Sequence, residues 1–287
     1  MTIELSHIDH PVIAVADMEN GHELYAKLGF TIPPRGSHLE WGTGNWCIMF
    51  ADDYLELRGI VDGSRYTHNL DKHLAAKGEG LMGLAFAPSV SAEVSFQRAE
   101  EVGLKPTGLK ALTRRFELPE GDAFPNFRIC YLNEAEIPEL LTTVVCEHRT
   151  PEIIRTPAWL AHENTVTGVR SMTGVSDDLA TLAERLALLV GAHNVHVTET
   201  TVRMTLPQGA CLEYVTPAVA AERGIADPEA SIPYLPAMTL GVADIAATRS
   251  VLRRNKVGYD ELGEDALRVP ASYCCGVVLD FVENKEA

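Results

Sequence analysis

His10 and Glu56 are the residues of this 287-residue chain whose types and placement first suggest chemistry. His10 lies in the strand-like run His7-Ile8-Asp9-His10-Pro11-Val12-Ile13-Ala14-Val15, and Glu56 in Tyr54-Leu55-Glu56-Leu57. Successive strand side chains point to opposite faces, so Leu55 and Leu57 share one face while Tyr54, Glu56 and Arg58 share the other. His10 lies in register with Val12 and Ala14, whereas His7 has the opposite parity. Where both strands belong to one curled sheet, an imidazole and a carboxylate meet on its concave side. That pair suits Zn, Fe, Mn, Ni or Co and leaves coordination positions open for substrate. It also suits a hydrogen-bonded rim histidine with no metal.

Other candidates surround this pair. His38 and Asn45 flank Gly42-Thr43-Gly44, where glycine lets the backbone approach a ligand and His38 is available as acid, base or ligand. A hairpin turn carrying a surface histidine is the plainer reading. The turn lacks the length and the lysine of a phosphate loop. Asn45, Trp46, Tyr54 and Arg58 are the expected substrate contacts. His193 and His196 are three apart and would face opposite ways on a strand. No GxSxG elbow occurs, and no Cys-His pair declares itself.

The elements that must position these residues recur along the chain. An apolar strand, a charged helix, a helix-ending glycine and further strands repeat, with the glycines at Gly29, Gly103, Gly191 and Gly258. The second unit opens at 81–86 and runs through a helix at 91–102 to strands at 127–131 and 140–146. The third opens at 168–172, has its helix at 178–189 and closes at 211–215; the fourth opens at 237–244 and closes at 277–282. An acidic residue falls on the closing strand 27 residues after Gly29 (Glu56), 22 after Gly191 (Glu213) and 22 after Gly258 (Asp280). The expected fold is α+β, with four βαβββ modules forming two curled eight-stranded mixed sheets and helices on the convex faces. The expected domains are 1–147, the working half, and 148–287, the structural half. Segments 62–80 and 218–233 read as irregular joins, and the breaker-rich stretch 147–164 as the link between halves.

The ordered set HPVIAVADM, the LGF at 28–30, His38-Leu39-Glu40-Trp41-Gly42-Thr43-Gly44-Asn45 and YLEL resembles the vicinal oxygen chelate superfamily of glyoxalases, bleomycin-resistance proteins and extradiol dioxygenases, most closely its glyoxalase-like branch. The resemblance implies metal ligands at His10 and Glu56 and at least one more from the paired module. Gly83 stands where that module's histidine would be, so Glu139, Glu147 and His148 are the candidates, with His148 preferred. In the second half Arg170 is expected opposite Glu213, with Ala237 and Asp280 at the fourth module's positions, a set without an imidazole. The implied activity is glyoxalase-like isomerase or lyase chemistry, with ring-cleaving oxygenation behind it. A divalent metal would serve as Lewis acid, and Glu56 or His38 would move a proton. The competing reading is a protein that sequesters an apolar or aromatic compound without turnover, for which Trp41, Trp46 and Tyr54 would form the walls.

Composition narrows the partners. A formal net charge of −16 disfavours nucleic acid and anionic lipid, and Arg114-Arg115 and Arg253-Arg254 read as solvated surface pairs. Met1-Thr2-Ile3-Glu4 lacks a basic and then apolar leader, and no apolar stretch is long enough for a membrane helix, which sets the expectation of a cytoplasmic protein acting on a small molecule. Two modules in each half allow sheet closure within one chain, so a monomer or homodimer is expected. Six cysteines without CxxC spacing read as reduced core thiols.

Overall fold

The computed structural model describes residues 2–285. Its N-terminal half comprises β1 (Leu5–Ala14), α1 (Met18–Lys27), β2 (Gly36–His38), β3 (Thr43–Met49), β4 (Tyr54–Ile60), α2 (Leu70–Lys77), β5 (Gly80–Pro88), α3 (Ala92–Glu101), β6 (Thr107–Phe116), β7 (Asn126–Tyr131) and β8 (Thr142–His148). The strands close into a barrel in the order β1-β4-β3-β2-β6-β7-β8-β5. Each βαβββ unit joins its first and last strands in parallel, β1 to β4 and β5 to β8. Antiparallel pairings β1–β5 and β2–β6 close the ring.

The C-terminal half repeats the plan with β9 (Val166–Val175), α4 (Leu179–Val190), β10 (Val195–Val197), β11 (Thr201–Thr205), β12 (Cys211–Val215), α5 (Pro217–Glu222), β13 (Tyr234–Val242), α6 (Ile245–Arg254), β14 (Asp260–Glu261), β15 (Ala266–Val269) and β16 (Val278–Glu283). Its eight strands run β10-β11-β12-β9-β13-β16-β15-β14, and this sheet stays open. The two joins expected to be irregular carry the short helices α2 and α5, and the strand β6 lies between the expected helix and the expected strands of the second unit. Among the described residues no helix is long and apolar enough to cross a membrane.

Local chemistry explains the elements. Asp17 caps α1 by accepting from the backbone N–H groups of Glu19 and Asn20, and Gly29, at φ +92°, ends the helix in the left-handed conformation. Leu55 and Leu57 then join Ile13, Tyr25 and Leu28 in an apolar core that continues into the second half through Met172, Leu186, Tyr214 and Phe281. Polar bonds also tie the halves: His162 Nε2 donates to Met49 O at 2.9 Å, Tyr214 OH to Glu139 O at 2.7 Å, and the Val169 N–H to Asp53 Oδ2 at 3.1 Å.

The second half departs from the expected pairing. Thr173, not Arg170, is the register partner of Glu213 on β9, so the position corresponding to His10 is Ser171. Arg170 is exposed and reaches the Glu283 carbonyl, while Glu213 pairs with Arg223 and, at 3.6 Å, Arg203. Asp280 takes a two-pronged bond from Arg268, at 2.7 Å on each oxygen.

Candidate functional site

A small cavity of about 50 Å³ opens inside the N-terminal barrel, lined by His10, His38, Asn45, Tyr54, Glu56 and Arg58 from the first unit and by Arg114, Phe127, Tyr131 and Cys146 from the second. Strand alternation sends Tyr54, Glu56 and Arg58 inward, while Leu55 and Leu57 enter the core. Trp46 faces the other way: its Nε1–H donates to Met18 O at 3.1 Å and its ring packs on His22. Trp41 lines the cavity in its place as an aromatic wall, stacked on His68 at 4.4 Å.

Glu56, 2% exposed, is the hub. Arg58 grips it with a fork, Nε to Oε1 at 3.2 Å and Nη2 to Oε2 at 2.8 Å. Asn45 Nδ2 donates to Oε1 at 2.7 Å, His10 Nε2 lies 3.3 Å from Oε2, and His38 Nε2 lies 3.9 Å from Oε1. Burial alone would raise the carboxyl's proton affinity; Arg58 and His10 reverse this and hold it well below the usual carboxylate range.

The two histidines facing Glu56 are driven apart. Burial works against the charged form of His10, but bonds to Asp9 and Glu56 outweigh it and raise its pKa. Burial, with Arg58 and Arg114 nearby, takes His38 down to about 3. His38 Nδ1 is fixed by the Thr43 hydroxyl at 2.8 Å, which leaves Nε2 facing Glu56. His10 also stacks on Tyr54 with ring centroids 4.3 Å apart.

Asp9 was not singled out in the sequence. The β1–β5 register shifts between Ile8 and His10, so Asp9 is a bulge residue and the two-residue alternation breaks there. Its buried carboxylate receives His10 Nδ1 at 2.6 Å and His148 Nε2 at 3.0 Å. His7, outside the cavity, meets Ser6 and the Asp52 carbonyl. Arg114 was expected at the surface, yet it is 3% exposed and lines the cavity; only Arg115 is exposed.

The expected ligands His10, Glu56 and His148 are not gathered around one point: Glu56 meets His10, and Asp9 lies between His10 and His148. Both oxygens of Glu56 are committed to the Arg58 fork, and His148 touches Asp9. Glu139 instead pairs with Arg185 at 3.0 Å, and Glu147 accepts the Ala92 N–H at 2.8 Å. Asp9, Cys146 and His148 do bring three donor atoms within 4.8 Å of one another. Carboxylate, thiolate and imidazole together suit a zinc-like ion, and His148 Nδ1 is buried without a partner among the described residues, so these three could hold a divalent metal.

The sequence pattern of a glyoxalase-like domain family matches residues 8–190. Among solved structures the chain is similar to a hypothetical protein from Staphylococcus aureus, with TM-score 0.67, 8% identity and coverage of 97% of this chain and 99% of the other. It is also similar to a mutant of 4-hydroxymandelate synthase from Streptomyces coelicolor, with TM-score 0.60, 13% identity and coverage of 99% and 94%. A xylose isomerase-like TIM barrel/4-hydroxyphenylpyruvate dioxygenase fusion protein matches with TM-score 0.59 and 10% identity over 100% of this chain and 51% of the other. At these identities the likeness is one of fold. No curated protein sequence matches the chain.

Proposed function

Because the chain belongs to the glyoxalase-like domain family of the vicinal oxygen chelate superfamily, we propose that its N-terminal barrel binds a small organic molecule and moves a proton on it, as an isomerase or lyase. The observation that carries this reading is the convergence of His10 and His38 on Glu56 inside one cavity. His10, held between Asp9 and Glu56, is placed to give a proton to a substrate oxygen. His38, with Nδ1 fixed by Thr43, offers the Nε2 lone pair to a proton on the neighbouring carbon. Glu56 stays anionic under Arg58 and Asn45 and balances the charge on His10. A divalent metal held by Asp9, Cys146 and His148 would supply positive charge that polarises a substrate oxygen.

The test is deuterium wash-in at carbon, followed by NMR in D2O over a panel of small hydroxy, oxo and aldehyde compounds. The expected result is exchange in at least one compound, slowed about 10²-fold or more in His10→Gln and in His38→Gln. Exchange at the unmodified rate in both variants refutes the reading. A second reading, sequestration without turnover, is favoured by the full engagement of Glu56 and by the aromatic walls Trp41, Phe127 and Tyr131. It predicts stoichiometric calorimetric binding with no label incorporated. Ring-cleaving oxygenation would instead register as oxygen uptake.

A further inference from the structure

Arg114 is a buried cation with no charged partner of its own among the described residues. Nη1 donates to Cys47 Sγ at 2.8 Å, while Nε and Nη2 have no hydrogen-bond partner among the described residues. Cys47 does not neutralise it, because burial pushes that thiol up to about 11 and keeps it protonated. Glu56, whose charge Arg114 feels, is already committed to Arg58. An uncompensated buried charge and two orphaned N–H donors are costly in the empty protein, and a cavity is where a ligand can relieve that cost.

The surroundings hold the guanidinium in place for this. It lies 5.5 Å from the centroid of the Phe116 ring and 5.7 Å from that of Phe127, which limits its orientation. Gly36 makes room, since a Cβ there would come within 2.9 Å of Arg114 Cδ. Asn45 Oδ1, also buried and without a partner among the described residues, lies near the same point and can accept from a hydroxyl or amide on the ligand.

We infer that Arg114 anchors a carboxylate of the bound molecule, so that the substrate class is a small organic monocarboxylate with an apolar body. A guanidinium offers a planar pair of donors that matches the two oxygens of a carboxylate. The apolar body then faces Leu112, Phe127, Ile129 and Val144. With the protein at a formal −16, long-range attraction cannot draw in an anion, and the local cation supplies the selectivity. This inference rests on the reading of the cavity as the substrate site.

The test titrates formate, propanoate and benzoate against formamide, propanamide and benzamide, read by calorimetry and by fluorescence of the cavity tryptophan. At least one carboxylate is expected to bind ten-fold or more tightly than its amide. Arg114→Gln should lose that ten-fold preference while amide affinity changes less than three-fold, and Arg115→Gln should behave as the unmodified protein. Without ligand, Arg114→Gln should melt no lower than the parent, and benzoate should raise the parent's Tm alone; a purely structural arginine predicts a lower Tm instead. Arg114→Lys, which keeps the charge without the fork, should bind about ten-fold more weakly than the parent. Carboxylate affinity within two-fold of the parent in either Arg114 variant overturns the inference, as does a panel in which no carboxylate outbinds its amide. His38→Gln separates the two readings: it should lose deuterium exchange and keep carboxylate binding.

Discussion

Replacing Arg58 with methionine should strand a carboxylate the barrel cannot reach with water. Glu56 is 2% exposed and loses both prongs of the Arg58 fork, while Asn45 at 2.7 Å and His10 at 3.3 Å remain. Breaking one side of a buried pair costs about 3–5 kcal/mol, and the surviving donors place this case near the lower figure, about 3 kcal/mol at pH 7. The pH dependence gives the argument its sign. In the parent, Glu56 has a depressed pKa, so its contribution is present above the usual carboxylate range and is lost as pH falls through the folded value. In the variant, burial without the guanidinium raises that pKa, so the folded variant takes up a proton and its deficit shrinks toward pH 5. Urea unfolding at pH 7 and pH 5 measures both, and the double variant Arg58→Met/Glu56→Gln should recover most of the loss. A deficit below about 1 kcal/mol at pH 7, the scale of an exposed pair, or one that stays constant with pH, refutes the buried-pair account.

Asp53, which joins the halves through the Val169 N–H, is pushed up to about 8, chiefly by burial, so its stabilising contribution is complete below pH 3.8 and lost as pH rises through about 8. Urea midpoints between pH 5 and 9 should fall less steeply in Asp53→Asn, and an unchanged slope counts against this assignment. At Gly174 a Cβ would come within 2.2 Å of the Tyr214 ring, which is pinned by its bond to Glu139, so Gly174→Ala should lower stability by about 1–3 kcal/mol by overpacking; an unchanged melt refutes the close approach. All six cysteines are buried free thiols with raised pKa values, and a thiol reagent at pH 7.5 should label them only as fast as the protein opens. Rapid labelling of the native protein would contradict that burial.

The fold was legible because helix-ending glycines and apolar strands carry their signals within a few residues. The inward face of β4 was legible too, since alternation through Tyr54, Glu56 and Arg58 needs no distant information. The Arg58 fork on Glu56 depends on side-chain conformations two residues apart, which spacing alone does not specify. Asp9 escaped notice because its bulge arises where β1 meets β5, some 75 residues further along the chain. Arg114 was hidden by its neighbour: Arg114-Arg115 looks like a surface pair, whereas the alternation Leu112, Arg114, Phe116 was the signal of an inward-facing strand. Arg170 was misassigned by one residue because spacing from a glycine does not reveal which residues pair across a sheet. Trp46 is the counterpart of that error within one strand, since its neighbours Asn45 and Cys47 face Glu56 and Arg114 while its own ring turns to α1.

The contrast between a closed and an open sheet bears on how the molecule behaves in crowded solution. The N-terminal barrel satisfies its own ladder and offers no rim to an incoming strand, while the C-terminal sheet ends in β10 and β14, of 3 and 2 residues. Strands that short present only one or two backbone groups for recruitment, and β14 adds the acidic pair Asp260 and Glu261. A neighbouring molecule therefore finds no lengthy template on which to build a ribbon. Brevity at the two borders keeps an eight-stranded sheet from seeding fibres without requiring a partner to cover it.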